Sequence, residues 1–180
     1  LMLTYVAILL LSLLVYGPLK DPDGFNFPES RLFHDSGTLP IIIAGTRAHV
    51  GFLVTIFLVV IMHYLLNRHI VGFLIRISGE SSRALNFSGR TSNQLVWLAF
   101  LISGGFAGMA GVIEVTGPVG QLVPAIPVGY GFTAIIVAFL GRLNPLGIFL
   151  AGMLMALTYI GGEAAQIKLG LPNAITGVFQ

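Results

Sequence analysis

Apolar positions fall in blocks far longer than the three-to-four-residue rhythm of a soluble amphipathic helix. Between successive Asp, Glu, Lys or Arg residues, charge-free runs cover Leu1–Leu19, Ala48–Asn67, Thr91–Ile113, Val115–Gly141 and Leu143–Gly162. About 20 apolar residues in helical form cross the hydrocarbon core of a bilayer. The runs therefore predict helices over about residues 1–16, 50–66, 94–113, 128–141 and 146–160, with the start of another from 174. The expected fold is all-α, a polytopic transmembrane helical bundle with one broken or half-spanning segment. That break lies in the fourth run, where Gly117, Pro118, Gly120, Pro124, Pro127, Gly129 and Gly131 interrupt residues 115–131. Backbone released from a helix survives at membrane depth only inside protein or beside a water-filled cavity. The clean remainder, Phe132–Leu140, would extend only about 14 Å at 1.5 Å per residue.

The polar stretches set an orientation. Gly17 and Pro18 end the first helix, one by backbone freedom and the other by ring sterics. An outer loop, 17–49, follows, in which Lys20, Arg31 and Arg47 face Asp21, Asp23, Glu29 and Asp35, net −1. The second polar stretch, 67–93, holds Arg68, Arg76, Arg83 and Arg90 against Glu80, net +3. Basic residues in short loops near helix ends accumulate on the cytoplasmic side. Loop 67–93 is therefore expected in the cytoplasm and loop 17–49 outside. The helix over 94–113 carries Gly104, Gly108 and Gly111 at spacings of three and four, a face on which another helix can approach closely.

Composition agrees with this pattern and removes other classes. Charged residues make up 9% of the chain and hydrophobic ones 56%, too little charge to cover a soluble domain of 180 residues. The net charge of +2 is small and its arginines sit between apolar runs, so orientation explains it better than nucleic-acid binding does. With no cysteine, disulfide frameworks, thiol catalysis and cysteine-based metal sites are excluded. His34, His49, His63 and His69 show no ligand spacing. Neither Lys20 nor Lys168 is followed by Ser or Thr, so the chain has no phosphate-binding P-loop. No catalytic residue, cofactor or metal site is expected. The chain begins without Met or a signal-peptide n-region and stops within an apolar segment, so a fragment of a longer protein is expected.

The stretch GESSRALNFSG, Gly79–Gly89, stands out in the basic loop. Ser78 or Ser81 can cap a short helix, Glu80 suits the positive end of its dipole, and Gly89 is a natural stop. Two readings stay open. One is a solvated connector; the other is a docking element in which Ala84, Leu85 and Phe87 offer apolar contact and Arg83 offers charge to a soluble partner.

The order of GPLKDP and NFPES, then LPIIIAGTRAHVGF, GESSRALNFSG and GGFAGMAG, and finally PVGYGFTAIIVAFLGRLNPLGI resembles the permease subunits of bacterial ABC importers. Its nearest likeness is to those that work with BMP-type lipoproteins in purine nucleoside uptake. The resemblance implies that Gly79–Gly89 is the cytoplasmic coupling helix that fits a cleft on a separate ATPase subunit. Gly79, Glu80, Ser81, Arg83, Ala84, Leu85, Phe87 and Gly89 are then the coupling residues. Ser81 and Ser82 depart from the family pattern, where Asn and Pro or another small residue are common. The implied partners are that ATPase, which uses the ATP and Mg, a second permease subunit, a substrate-binding lipoprotein and the lipid bilayer. The implied location is the bacterial inner membrane.

For the substrate path, the broken segment is the physical pointer. A nucleoside presents a flat base and a polyhydroxyl sugar, which makes Tyr130, Phe132, Gln121 and Glu114 candidates for stacking and hydrogen bonding. Tyr130 and Phe132 could equally pack between helices, and Glu114 could sit in water at a helix end. A ribose- or galactose-type sugar is the rival substrate. The rival class is a secondary transporter or channel, which needs no ATPase-docking loop.

Overall fold

The computed structural model describes residues 2–22, 27–42, 45–46, 48–81, 85, 89, 91–124 and 129–169. Its helices are α1 (Met2–Tyr16), α2 (Gly51–Arg68), α3 (Ile70–Glu80), α4 (Ser92–Glu114), α5 (Tyr130–Leu140) and α6 (Pro145–Leu169). A one-turn 3-10 helix lies at Asp35–Gly37, and α4 runs on through a π-helical turn at Val115–Val119. Isolated antiparallel bridges join Lys20 to Ser30 and Ile41 to His49. The all-α membrane architecture expected from the apolar runs is therefore present.

Among the described residues, three helices are long and apolar enough to cross a membrane: Gly51–Arg68, Ser92–Val119 and Pro145–Gln166. Met2–Tyr16 and Tyr130–Leu140 are shorter apolar helices. Their side chains are largely exposed, as lipid rather than water is the solvent they suit. The helix expected from 174 lies outside the described residues. Elsewhere the bounds move by a few residues, most at α6, which runs through the Glu163 position to Leu169 instead of ending near 160.

The largest departure is α3. Loop 67–93 is read from its charge as a polar connector, yet Ile70–Glu80 is helical and buries Gly72 and Leu74. Its apolar residues Ile70, Leu74 and Ile77 recur at helical spacing, a signal that the four arginines of the loop overshadow. His69, in extended conformation, separates α2 from α3, and its Nδ1 accepts the Val71 amide at 3.2 Å as the N-cap of α3. Arg76 reaches back to donate to the Asn67 carbonyl oxygen at 2.8 Å, which ties the two helices at this joint.

By density of contact the chain forms two units: 1–57 with 66–128, and 58–65 with 129–180. In the first, Leu74 of α3, Leu95 of α4 and Leu85 make a small core, with Ile77 packed on it. In the second, Val137 of α5 packs against Ala151 and Met155 of α6, with Ile148 beside them.

The α5–α6 corner is tight because two glycines let the backbones touch. A β-carbon on Gly141 would lie 2.6 Å from the Gly147 carbonyl carbon and collide with the Ile148 amide nitrogen; one on Gly147 would strike the Gly141 carbonyl oxygen. Arg142 and Leu143 complete the turn with left-handed φ of 54° and 55°, and the Asn144 side-chain oxygen caps α6 by accepting the Leu146 amide at 3.2 Å. Gly141→Ala should therefore lower the stability of the full-length protein by about 1–3 kcal/mol, as overpacking against rigid backbone does. Gly104→Ala, where a β-carbon would meet nothing within 4 Å, should be neutral or stabilising by up to about 1 kcal/mol. Thermal unfolding in detergent compares the two; equal midpoints would show that the corner is not close-packed.

Candidate functional site: coupling segment, clasped helix end and half-helix

The segment that follows α3 is the first element of interest. Sequence reading starts a new helix at Gly79; in the structure Gly79 and Glu80 close α3, and Ser81 caps it, donating its amide to the Ile77 carbonyl at 2.8 Å. Glu80 therefore sits at the negative end of a helix dipole, opposite to the N-terminal position expected for it. A second turn then begins, because the Leu85 amide donates to the Ser81 carbonyl at 3.3 Å. Gly89, at φ 73°, makes the turn before Thr91, the N-cap residue of α4. Arg83, Ala84 and Phe87 lie outside the described residues.

Leu85 has a different place from the one sequence reading gives it. Its side chain is 0% exposed and packs with Leu74 and Leu95, so it anchors the segment to α3 and α4 and offers no apolar surface to a partner. Apolar character at one position in a short polar stretch fits either contact, and only the packing separates them.

The second element is the far end of α4, where the expected break occurs. Pro118 lacks an amide hydrogen and its ring opposes the carbonyl four residues earlier, so α-helical spacing cannot continue through it. The chain widens instead into a π turn, closed by the Gly120 amide donating to the Val115 carbonyl at 2.9 Å, with Gly120 at φ 71° ending the helix. Carbonyls freed by this irregularity are taken up by loop 17–49. The amides of Leu39, Phe33 and Ser30 donate to the carbonyls of Thr116, Gly120 and Leu122 at 2.8, 2.9 and 3.0 Å. Ser30, 6% exposed, also accepts the Leu122 amide on Oγ at 2.8 Å.

His49 packs into the same region. Its Nδ1 accepts the Gly51 amide at 3.2 Å, and its ring lies against Gly117, where a β-carbon would come within 2.6 Å of Nε2. Sequence reading missed this role. The absence of ligand spacing is a true observation about His49, but a glycine facing an imidazole across 68 positions leaves no periodic signal.

The four substrate-path candidates separate. Gln121 donates through Nε2 to a Glu29 carboxylate oxygen at 3.1 Å and so belongs to the loop clasp. Glu114 is the last residue of α4 before the π turn and is half-buried. Tyr130 and Phe132, 52% and 56% exposed, open α5 in the other unit. The break itself is thus two features. One is a π turn at the end of a 28-residue apolar helix, about 34 Å along it from Ser92 at its onset. The other is the short helix α5. Gly104, Gly108 and Gly111 face open space, with nothing described within 4 Å of a β-carbon on any of them.

Residues 1–180 match the family described as branched-chain amino acid transport system / permease component, and the chain belongs to that family. It is 33% identical over 190 residues to the glucose ABC transporter permease protein TsgB13 of Haloferax volcanii, covering 100% of this chain and 50% of that protein. To the guanosine ABC transporter permease protein NupP of Bacillus subtilis it is 29% identical over 183 residues, 98% of this chain and 51% of that one. To the nucleoside ABC transporter permease protein NupB of Lactococcus lactis it is 27% identical over 135 residues, 74% and 37% of the two chains. The chain spans about half the length of the first two. No solved structure matches it.

Leu85→Ala in the full-length protein should cost about 2–5 kcal/mol through the cavity it leaves and expose residues 81–91 to protease. Limited proteolysis of membranes reads this; an unchanged cleavage rate would mean that Leu85 does not hold the segment.

Proposed function

We infer that this chain is part of a permease subunit of an ATP-driven ABC importer, one that pairs with a second permease subunit and alternates access for a nucleoside or related small polar solute. The observation that carries the reading is the family match along residues 1–180, on a multi-pass helical chain that lacks a P-loop. In this reading energy comes from another subunit, an ATPase that binds ATP and Mg. Residues 79–89 are the proposed contact, since a short segment pinned by Leu85 to both α3 and α4 can pass a push on to α4 without first deforming. Glu80, Arg83, Ala84 and Gly89 serve the docking, with Gly79, Ser81 and Phe87 framing it. Membership of this family argues against the secondary transporter or channel.

In the same reading a binding lipoprotein delivers solute on the side of loop 17–49, and the membrane is a bacterial plasma membrane. Tyr130 and Phe132, at the start of α5, are the proposed solute contacts of their unit, and Glu114, at the end of α4, is a separate candidate in the other. A sugar as substrate has its own support, because the glucose permease is the relative with the higher identity, 33% against 29% for the guanosine permease.

Glu80→Ala with Arg83→Ala, in the full-length protein assembled with its ATPase, should uncouple ATP hydrolysis from uptake while leaving affinity for the binding lipoprotein unchanged. ATPase activity in proteoliposomes, with and without loaded binding protein, measures this. Retention of full substrate-stimulated hydrolysis and uptake would contradict the docking role, and ATPase turnover by the permease alone would contradict the division of labour.

A further inference from the structure

Among the described residues, a polar contact joins helices α5 and α6: Thr133 Oγ1 and Tyr159 Oη are 3.3 Å apart. Its depth can be estimated from the corner. Arg142, Leu143 and Asn144 are exposed, and a guanidinium with a capped helix start belongs at the headgroup level. A rise of about 1.5 Å per residue from Gly141 back to Thr133 places the pair roughly 12 Å inside that level. Half of the hydrocarbon thickness is about 15 Å. The two hydroxyls therefore lie near the membrane midplane.

Two further observations bear on the same place. The 11 residues of α5 extend only about 16 Å, and the helix begins at Gly129 in left-handed conformation, φ 83°. A short helix whose start lies at midplane depth is the arrangement in which transporters build solute sites. Tyr130 lies one turn before Thr133 on the same helix face. Its ring is 52% exposed.

The hairpin does not depend on the pair for its closure. The neighbouring contacts of this hairpin, Val137 with Ala151 and Met155, are apolar and close it well. Two hydroxyls that share one hydrogen bond offer two protons and four lone pairs between them, and the bond uses one of each. The remainder suits a hydroxylated ligand, whose own O–H groups can both donate and accept.

We propose that Thr133 and Tyr159 bind the hydroxyl groups of the transported solute, with the Tyr130 ring against its ring face. This rests on the permease reading and adds to it the solute class, a polyhydroxylated ring, which a nucleoside and a free sugar share. Without solute the two hydroxyls satisfy each other; with solute, each turns to it.

The test uses cells that produce the full-length protein with its ATPase and binding lipoprotein, and measures uptake of labelled guanosine, 2′,3′-dideoxyguanosine, glucose and a deoxyglucose. For whichever parent solute the wild type carries, Tyr159→Phe should raise KM about fivefold, the effect of losing one neutral hydrogen bond. It should leave KM for the corresponding deoxy solute unchanged. Thr133→Val should act likewise, and Thr133→Ser, which keeps the hydroxyl, should restore the wild-type value. An equal change for parent and deoxy solute, or a lower maximal rate at unchanged KM, would overturn the hydroxyl assignment and leave a packing contact. Failure of the wild type to carry any of the four would overturn the permease reading with it.

Discussion

A peptide group that leaves its helix inside lipid finds no water to bond, and this single penalty decides where the chain can be irregular. At the π turn forced by Pro118, loop 17–49 supplies amide donors to the carbonyls around it. At α5 the helix opens on left-handed Gly129, and one turn further on Thr133 shares a hydrogen bond with Tyr159 of α6.

The same constraint separates structural from functional polarity. Ser30, Gln121 and Glu29 are bound into the clasp, where their polar atoms hold one part of the chain to another. Thr133 and Tyr159 bond to each other across the α5–α6 hairpin. In the segment after α3 the roles are reversed, because there the apolar Leu85 is the structural residue, packed with Leu74 and Leu95. A short rigid link suits a segment that must transmit movement, as a solvated flexible loop would absorb it.

Much of this was legible in the residues. Charge-free runs gave the apolar helices to within a few positions for α1, α2 and α4, and the glycine and proline cluster marked the break. Two things were not legible. Charge counting over 67–93 concealed α3, whose apolar face is short and carries Arg76 on its other side. Contacts between positions far apart in sequence, His49 with Gly117 and Gln121 with Glu29, have no local signature, and only the fold shows them. Leu85 shows the general difficulty, since an apolar residue in a polar segment is either the anchor or the contact, and only its neighbours decide.

The account stands on the side of the membrane that residues 79–89 occupy. A single cysteine can be introduced at Gly79 or Gly89 and, for comparison, at Thr38 in loop 17–49, with the protein lacking the introduced cysteine as the control for background. Labelling of intact cells with a membrane-impermeant maleimide should modify the loop position and leave positions 79 and 89 untouched until the membrane is permeabilised. Modification of 79 or 89 in intact cells would place the segment outside, out of reach of any cytoplasmic ATPase, and would contradict the coupling role.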